Sequence, residues 1–134
     1  MKIATWNVNS MKVRLPHVLE WLTAHSPDGL VLQEIKQLTE MFPQDELAAA
    51  GYTSLANGQK TYNGVAVISK EEPQDPDLEL PGLDDPQRRV LAVTIGGVRV
   101  INLYVPNGSE VGSEKYQYKL GWLRALRDYL AAQL

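Results

Sequence analysis

Cysteine is absent from the 134 residues, so the chain can build no disulfide scaffold, no cysteine-ligated zinc or iron–sulfur site and no thiol nucleophile. No apolar run approaches the ~18 residues of a membrane-spanning helix. Met1-Lys2-Ile3-Ala4-Thr5-Trp6 enters strand-like sequence at once, without the apolar stretch of a signal peptide. The expectation is a soluble, cytoplasmic protein with no membrane partner, at home in a reducing compartment. P-loop and Gly-x-Gly-x-x-Gly patterns are also missing, which leaves a nucleotide-binding turn unsupported. The two histidines, His17 and His25, lack the i, i+4 spacing of a helical zinc site and read as surface residues.

What is present can bury a core: 44% of residues are hydrophobic and 22% charged, in a length that suits one domain over 1–134. The net charge of −3 is unevenly placed. Glu71, Glu72, Asp75, Asp77, Glu79, Asp84 and Asp85 fall in a stretch without lysine or arginine, and without those seven acids the rest of the chain is mildly basic. A basic body with one acidic loop is compatible with a phosphate-bearing partner and does not require one.

Ile3 to Val8 reads as a short buried strand. A helix is expected from near Pro16 to about His25, with Val18, Leu19 and Leu22 as its apolar stripe. Leu30-Val31-Leu32-Gln33-Glu34 reads as a second buried strand, so the order strand–helix–strand predicts a crossover and a parallel or mixed sheet. A short helix over 44–50 precedes Gly51. Strands are expected over 52–56, 64–69, 90–95 and 98–105, the last two joined by a Gly96-Gly97 hairpin. A final helix from about Ser113 carries Leu120, Leu123, Leu126, Leu130 and Leu134 on one side. Residues 71–87 read as a long surface loop between two paired strands.

Three strand ends place polar groups directly after hydrophobic runs. In Trp6-Asn7-Val8-Asn9-Ser10, alternation puts Asn7 and Asn9 on one core-facing side, where each amide needs a partner. Glu34 ends an apolar strand and is either solvated or committed to a cation such as Mg²⁺, which needs only one or two protein carboxylates. Asn102-Leu103-Tyr104-Val105-Pro106-Asn107-Gly108 ends in a turn that can present a phenol and an amide, although a half-buried tyrosine is the commoner reading. Taken alone, Gln59-Lys60-Thr61-Tyr62-Asn63-Gly64 could be an ordinary polar loop, and Arg88-Arg89 a solvated pair.

Together and in this order, the segments Ile3 to Ser10, Leu32-Gln33-Glu34-Ile35-Lys36, Tyr62-Asn63-Gly64-Val65-Ala66 and Asn102 to Gly108 closely resemble the exonuclease III-type AP endonucleases of the endonuclease/exonuclease/phosphatase superfamily. The resemblance covers essentially the whole chain. It implies a four-layer, DNase I-like α/β sandwich and hydrolysis of phosphodiesters with Mg²⁺ or Mn²⁺, at abasic sites and 3′ ends of duplex DNA. Matched position by position, Glu34 is the metal ligand and Asn7 the asparagine that holds the metal site. By the same resemblance, Tyr104 matches the tyrosine that contacts the scissile phosphate and Asn107 sits where a nearby amide approaches it. Lys60 and Tyr62 fall in a DNA-contacting loop, and Lys12 and Arg14 in a segment approaching the backbone. Asn9 stands where some relatives carry aspartate, which argues against a second metal there.

Members of that group are about twice this length, and their later Gly-Asp and Ser-Asp-His segments have no counterpart here. The resemblance therefore implies the N-terminal half of the sandwich, one mixed sheet with flanking helices. Its other face would need a C-terminal half or a second copy to cover it. Two other readings stay open: a non-catalytic nucleic-acid- or protein-binding member of the fold, and a phosphoesterase acting on RNA or a small molecule. The trio Asn7, Glu34 and Tyr104 argues against the first. The Gln59–Gly64 loop and the Tyr104–Gly108 turn argue against the second.

Overall fold

A computed structural model describes all 134 residues. The chain divides into two compact units, one formed by 1–78 with 87–104 and the other by 79–86 with 105–134. No helix is long and apolar enough to cross a membrane.

The first unit opens with β1 (Ile3–Asn7), α1 (Met11–His25) and β2 (Gly29–Gln33). A 3₁₀ turn (Thr39–Met41), α2 (Gln44–Ala49), β3 (Thr53–Asn57) and β4 (Val65–Ser69) follow. These strands form one sheet in the order β1-β2-β4-β3. As the strand–helix–strand order predicts, β1 and β2 are parallel, with Ile3 opposite Gly29 and Asn7 opposite Gln33. The other two pairings are antiparallel.

Successive residues of β2 and β4 are apolar, so both faces of this sheet must be covered. Register sorts them. Leu30, Leu32, Ala66 and Ile68 face α1 and α2 in one core, with Ala4, Trp6 and Ala56 beside them. Val31, Val65 and Val67 face the opposite way, toward Leu91, Val93 and Ile95.

That second layer corrects the expectation of a single mixed sheet with a bare face. Because β4 already has β2 and β3 on its two edges, the later strands cannot join it. Instead β5 (Gln74–Asp77), β6 (Val90–Ile95) and β7 (Val98–Leu103) form their own antiparallel sheet. It lies over β2, β4 and β3. Only the share of the face belonging to β1 stays open: Ile3 is 37% exposed, and Thr5 and Asn7 are exposed too.

Residues 71–87 are likewise not all loop between paired strands. β5 arises within them and pairs with β6 across a register shift between Gln74 and Asp77. Arg99 on β7 holds this acidic strand, with Nη2 2.8 Å from Asp77 Oδ2 and Nη1 donating to the Asp75 carbonyl at 2.6 Å. Its charges also discourage another strand from adding at that edge. The Gly96-Gly97 hairpin forms as expected, with both glycines at positive φ and Ile95 opposite Val98.

α1 begins five residues before Pro16 because Ser10 is its cap, with Oγ accepting from Val13 N at 3.3 Å. Pro16 lies inside the helix on an exposed position, so the backbone bond it forgoes faces water. Val18 and Leu22 are buried, and Leu15 and Leu19 pack beside them.

In the second unit, α3 (Glu114–Gln133) is capped by Ser113, whose Oγ accepts from Tyr116 N at 3.1 Å and donates to the Gly108 carbonyl at 3.2 Å. Its leucine stripe is not the buried face. Trp122 and Tyr129 are buried, whereas Leu123 is 36% and Leu130 39% exposed. The two aromatic rings, seven residues apart, bring more apolar area to one side than the leucines do.

One glycine is set by close approach. A Cβ on Gly58 would stand 2.2 Å from the Gln37 carbonyl oxygen and 3.0 Å from Thr39 N, both backbone atoms. Gly58→Ala should therefore destabilise the chain by about 1–3 kcal/mol, read as a lower urea midpoint with an unchanged slope.

Candidate active site

The topology delivers five chain segments to one edge of the two sheets. The carboxyl ends of the parallel strands β1 and β2 lie there, followed by residues 8–10 and 34–36. β4 runs the other way, so the loop before it, 58–64, reaches the same edge. Arg88 and Arg89 precede β6, and Tyr104 follows β7. Carboxyl ends of parallel strands are where open α/β sheets commonly hold ligands.

Backbone hydrogen bonds tie these loops together. Val8 N donates to the Gln33 carbonyl at 3.0 Å, Met11 N to Ile35 at 3.0 Å, and Ile35 N to Gly64 at 3.2 Å. Lys36 N donates to Asn63 at 3.0 Å, Gly64 N to Arg88 at 2.8 Å, and Tyr104 N to Arg89 at 2.9 Å. The Gln59 side chain adds a hinge point, its Oε1 accepting from Arg88 N at 2.8 Å and from Asn63 Nδ2 at 3.1 Å.

The same loops concentrate backbone strain. Of nine non-glycine residues at positive φ, six are here: Asn9, Ser10, Glu34, Lys36, Thr61 and Asn63. Such conformations cost on the order of 1–3 kcal/mol each and persist only where neighbours over-determine them. Gly64, at φ +89°, is obligatory, because a Cβ there would meet Ile35 Cγ1 at 2.6 Å.

Within this frame Tyr104 donates its hydroxyl to Glu34 Oε1 at 2.6 Å, across seventy residues of sequence. Glu34 is half-buried, on a left-handed turn that aims its carboxylate out of the strand direction. Burial raises the Tyr104 phenol above its ordinary value of 10.0, and the hydrogen bond to Glu34 adds to the effect. Arg89 opposes it, with the guanidinium carbon 4.8 Å from the Tyr104 ring centroid and Nη1 donating to the Tyr104 carbonyl at 3.2 Å. The phenol therefore stays a donor at neutral pH.

The structure brings Glu34 and Tyr104 into contact, and Asn7 ends β1 opposite Gln33, the residue before Glu34. Asn7 and Asn9 are not core-facing amides, because the second sheet stops short of β1 and both are exposed. Asn7 Oδ1 accepts from Asn9 N at 3.1 Å, and Asn9 Oδ1 accepts from Lys36 Nζ at 2.6 Å. Lys60 and Tyr62 are exposed on the 58–63 loop, with Tyr62 68% open to solvent, and Lys12 and Arg14 are exposed on the first turn of α1. Asn107 belongs to the second unit, where its Oδ1 accepts from Ser109 N at 2.9 Å. His17 and His25 are both exposed on α1, as expected.

Two residues of this edge are not singled out by sequence reasoning. Arg89 reads as half of a solvated pair, yet it stacks on Tyr104. Lys36 follows Glu34 at the spacing of any surface lysine, and only its hydrogen bond to Asn9 reveals a fixed ammonium. No group of three or more histidine, aspartate or glutamate side chains stands together in the chain. A metal held here would take the Glu34 carboxylate, with the Asn7 amide of the adjacent strand end as a further oxygen, and so sparse a set suits a hydrated Mg²⁺ or Mn²⁺ completed by water and phosphate oxygens better than a closed protein cage.

Comparison with known proteins places this arrangement. The chain is 34% identical to exodeoxyribonuclease III of Haemophilus influenzae, over 97% of its own length and 51% of the relative's. It superposes on the 3′-5′ exonuclease NExo of Neisseria meningitidis with a TM-score of 0.96 at 51% identity, covering 99% of this chain and 52% of that one. An AP endonuclease from Archaeoglobus fulgidus gives a TM-score of 0.96 at 43% identity, covering 100% of this chain and 52% of the other. The chain thus spans about half the length of the relatives it matches. The likeness bears out the DNase I-like α/β class and the resemblance read from the motifs. Residues 4–134 match the Endonuclease/Exonuclease/phosphatase family model, and the chain belongs to that family.

Proposed function

We propose that the chain is the metal-holding and phosphate-orienting part of a DNA-repair nuclease. It would hydrolyse phosphodiesters at abasic sites and 3′ ends of duplex DNA with Mg²⁺ or Mn²⁺, in the cytoplasm. The observation that carries this reading is the 2.6 Å bond from Tyr104 to Glu34 at the edge where five loops converge. Relatives named exodeoxyribonuclease III and AP endonuclease support the reaction class. A DNA hairpin bound to the Neisseria 3′ phosphatase supports the partner.

Phosphodiester hydrolysis places growing negative charge on the phosphate and on the departing oxygen, and fixed donors aimed at that charge lower the barrier. Glu34 would hold the metal, with one oxygen shared with Tyr104, and the Asn7 amide would support it. A bound divalent ion would supply charge neutralisation at the phosphate. The Tyr104 phenol, kept protonated by burial and by Glu34, can donate to a phosphate oxygen without adding a charge that competes for the metal. The guanidinium of Arg89 beside that ring adds a fixed positive charge there. Lys12, Arg14, Lys60 and Tyr62 would meet the duplex backbone. Neither histidine lies at the site, so the group that activates the attacking water would come from outside these residues, in keeping with relatives twice as long.

The test is cleavage of a labelled duplex carrying one abasic site, with Mg²⁺ and with EDTA. The chain is assayed alone and mixed with the C-terminal half of a relative. Incision that needs both the metal and the added half supports the proposal. DNA binding without incision in any mixture would favour a non-catalytic role. In the active mixture, Glu34→Gln should lower the incision rate on the order of 100-fold or more while the far-UV spectrum is unchanged. Equal rates would remove Glu34 from the site. Lys60→Ala should weaken binding to duplexes of unrelated sequence equally and reduce the slope of log K against log salt by about 0.9, the signature of one lost phosphate contact.

A further inference from the structure

Beneath the candidate site, within the first unit, lies a polar network in an otherwise apolar seam. Asn102 on β7 is 2% exposed and uses every arm of its amide. Its Nδ2 donates to the carbonyls of Leu32 at 3.0 Å and Ala66 at 2.9 Å, which are cross-strand partners at the centre of the larger sheet. Its Oδ1 accepts from Gln33 Nε2 at 2.8 Å. The second N–H of Gln33 goes to Thr5 Oγ1 at 2.9 Å. One connected set of hydrogen bonds therefore joins β1, β2, β4 and β7.

Its position relative to the site is regular. Gln33 immediately precedes Glu34. Asn102 lies two residues before Tyr104, and Thr5 two before Asn7, on the same faces of their strands. At about 3.3 Å per residue, the network sits roughly 7 Å below the groups it underlies.

Around it the two sheets meet through Val31, Val65, Val67, Leu91, Val93 and Ile95. Apolar contacts of this kind carry no direction and tolerate sliding by a fraction of a residue. An amide that must reach two carbonyls and one side-chain donor at once permits a single alignment, because a shift leaves buried polar atoms without partners. From this we infer that Asn102, with Gln33 as its link, is a positioning residue that sets the alignment of the two sheets in which the Tyr104 hydroxyl meets Glu34. The inference rests on the proposed role of Glu34 and Tyr104 for its functional meaning. Its geometric content stands apart from that role.

The separation of the two groups reports the alignment directly. Crystal structures of Asn102→Leu, which removes the amide with the heavy-atom count unchanged, and of Gln33→Met, which removes the link alone, should show the Tyr104 hydroxyl withdrawn from Glu34 Oε1 beyond hydrogen-bond reach, against 2.6 Å in the parent chain. Val93→Ala, a cavity in the same seam, serves as the control for stability loss and should leave the contact in place. A parent-like contact in Asn102→Leu overturns the inference. Should that variant fail to fold, a parent-like contact in Gln33→Met overturns it instead. In the mixture with a relative's C-terminal half, both variants should lower kcat tenfold or more at nearly constant KM. Should the contact open as expected while Glu34→Gln leaves incision intact, the alignment stands and the nuclease reading falls.

Discussion

Val65, Ala66, Val67 and Ile68 point alternately into two different apolar layers, so β4 must be covered on both faces. The arrangement of the first unit follows from that requirement. Helices α1 and α2 serve one face. The other needs apolar strands that cannot pair with β4 itself, and β6 with β7 supplies them as a separate sheet. Stacking one sheet on the other then brings the end of β7 over the end of β2, although seventy residues separate Tyr104 from Glu34 along the chain. The candidate site is a by-product of how a doubly apolar strand is buried.

Above this rigid base the loops are held in conformations they would not choose alone. Glu34 and Lys36 carry ordinary side chains on left-handed backbone, where a chain selected for stability alone would place glycine or asparagine. The ladder of backbone bonds from Val8 through Ile35, Lys36 and Gly64 to Arg88 keeps them there. The result is a carboxylate, a phenol, an ammonium and a guanidinium fixed before any ligand arrives, so little ordering remains to be done on binding.

Much of this was legible in the sequence. The parallel β1–β2 crossover, the Gly96-Gly97 hairpin and the Ser113 helix start follow from alternation, turn chemistry and capping, all local signals. The second sheet was not, because strand spacing says nothing of which edges are already taken, although runs such as Val65 to Ile68 announce that both faces need cover. β5 was hidden by its composition, since Gln74-Asp75-Pro76-Asp77 reads as loop until Arg99 neutralises it from β7, two strands away in the same sheet. On α3 the leucines are as many as the aromatics, and the largest side chain, Trp122, together with Tyr129 marks the buried face. Within the site, Asn7, Glu34 and Tyr104 were visible as polar ends of apolar runs. Arg89, Lys36 and Asn102 were not, because their roles exist only through contacts that connect distant segments.

At the end of the smaller sheet away from Tyr104, Glu71 approaches the Gly96 turn, but cations stand there too: Met1 lies against the same turn, Lys2 and Lys70 flank the strand ends beside it, and Arg99 engages Asp77 on β5. The acids of that end are thus partly offset, whereas Lys36, Lys60 and Arg89 gather at the other end of the strands. A polyanion is therefore drawn to that end by charges fixed in place before contact. The reach of that attraction shrinks as salt shortens the Debye length, so the distance at which capture begins is a function of ionic strength.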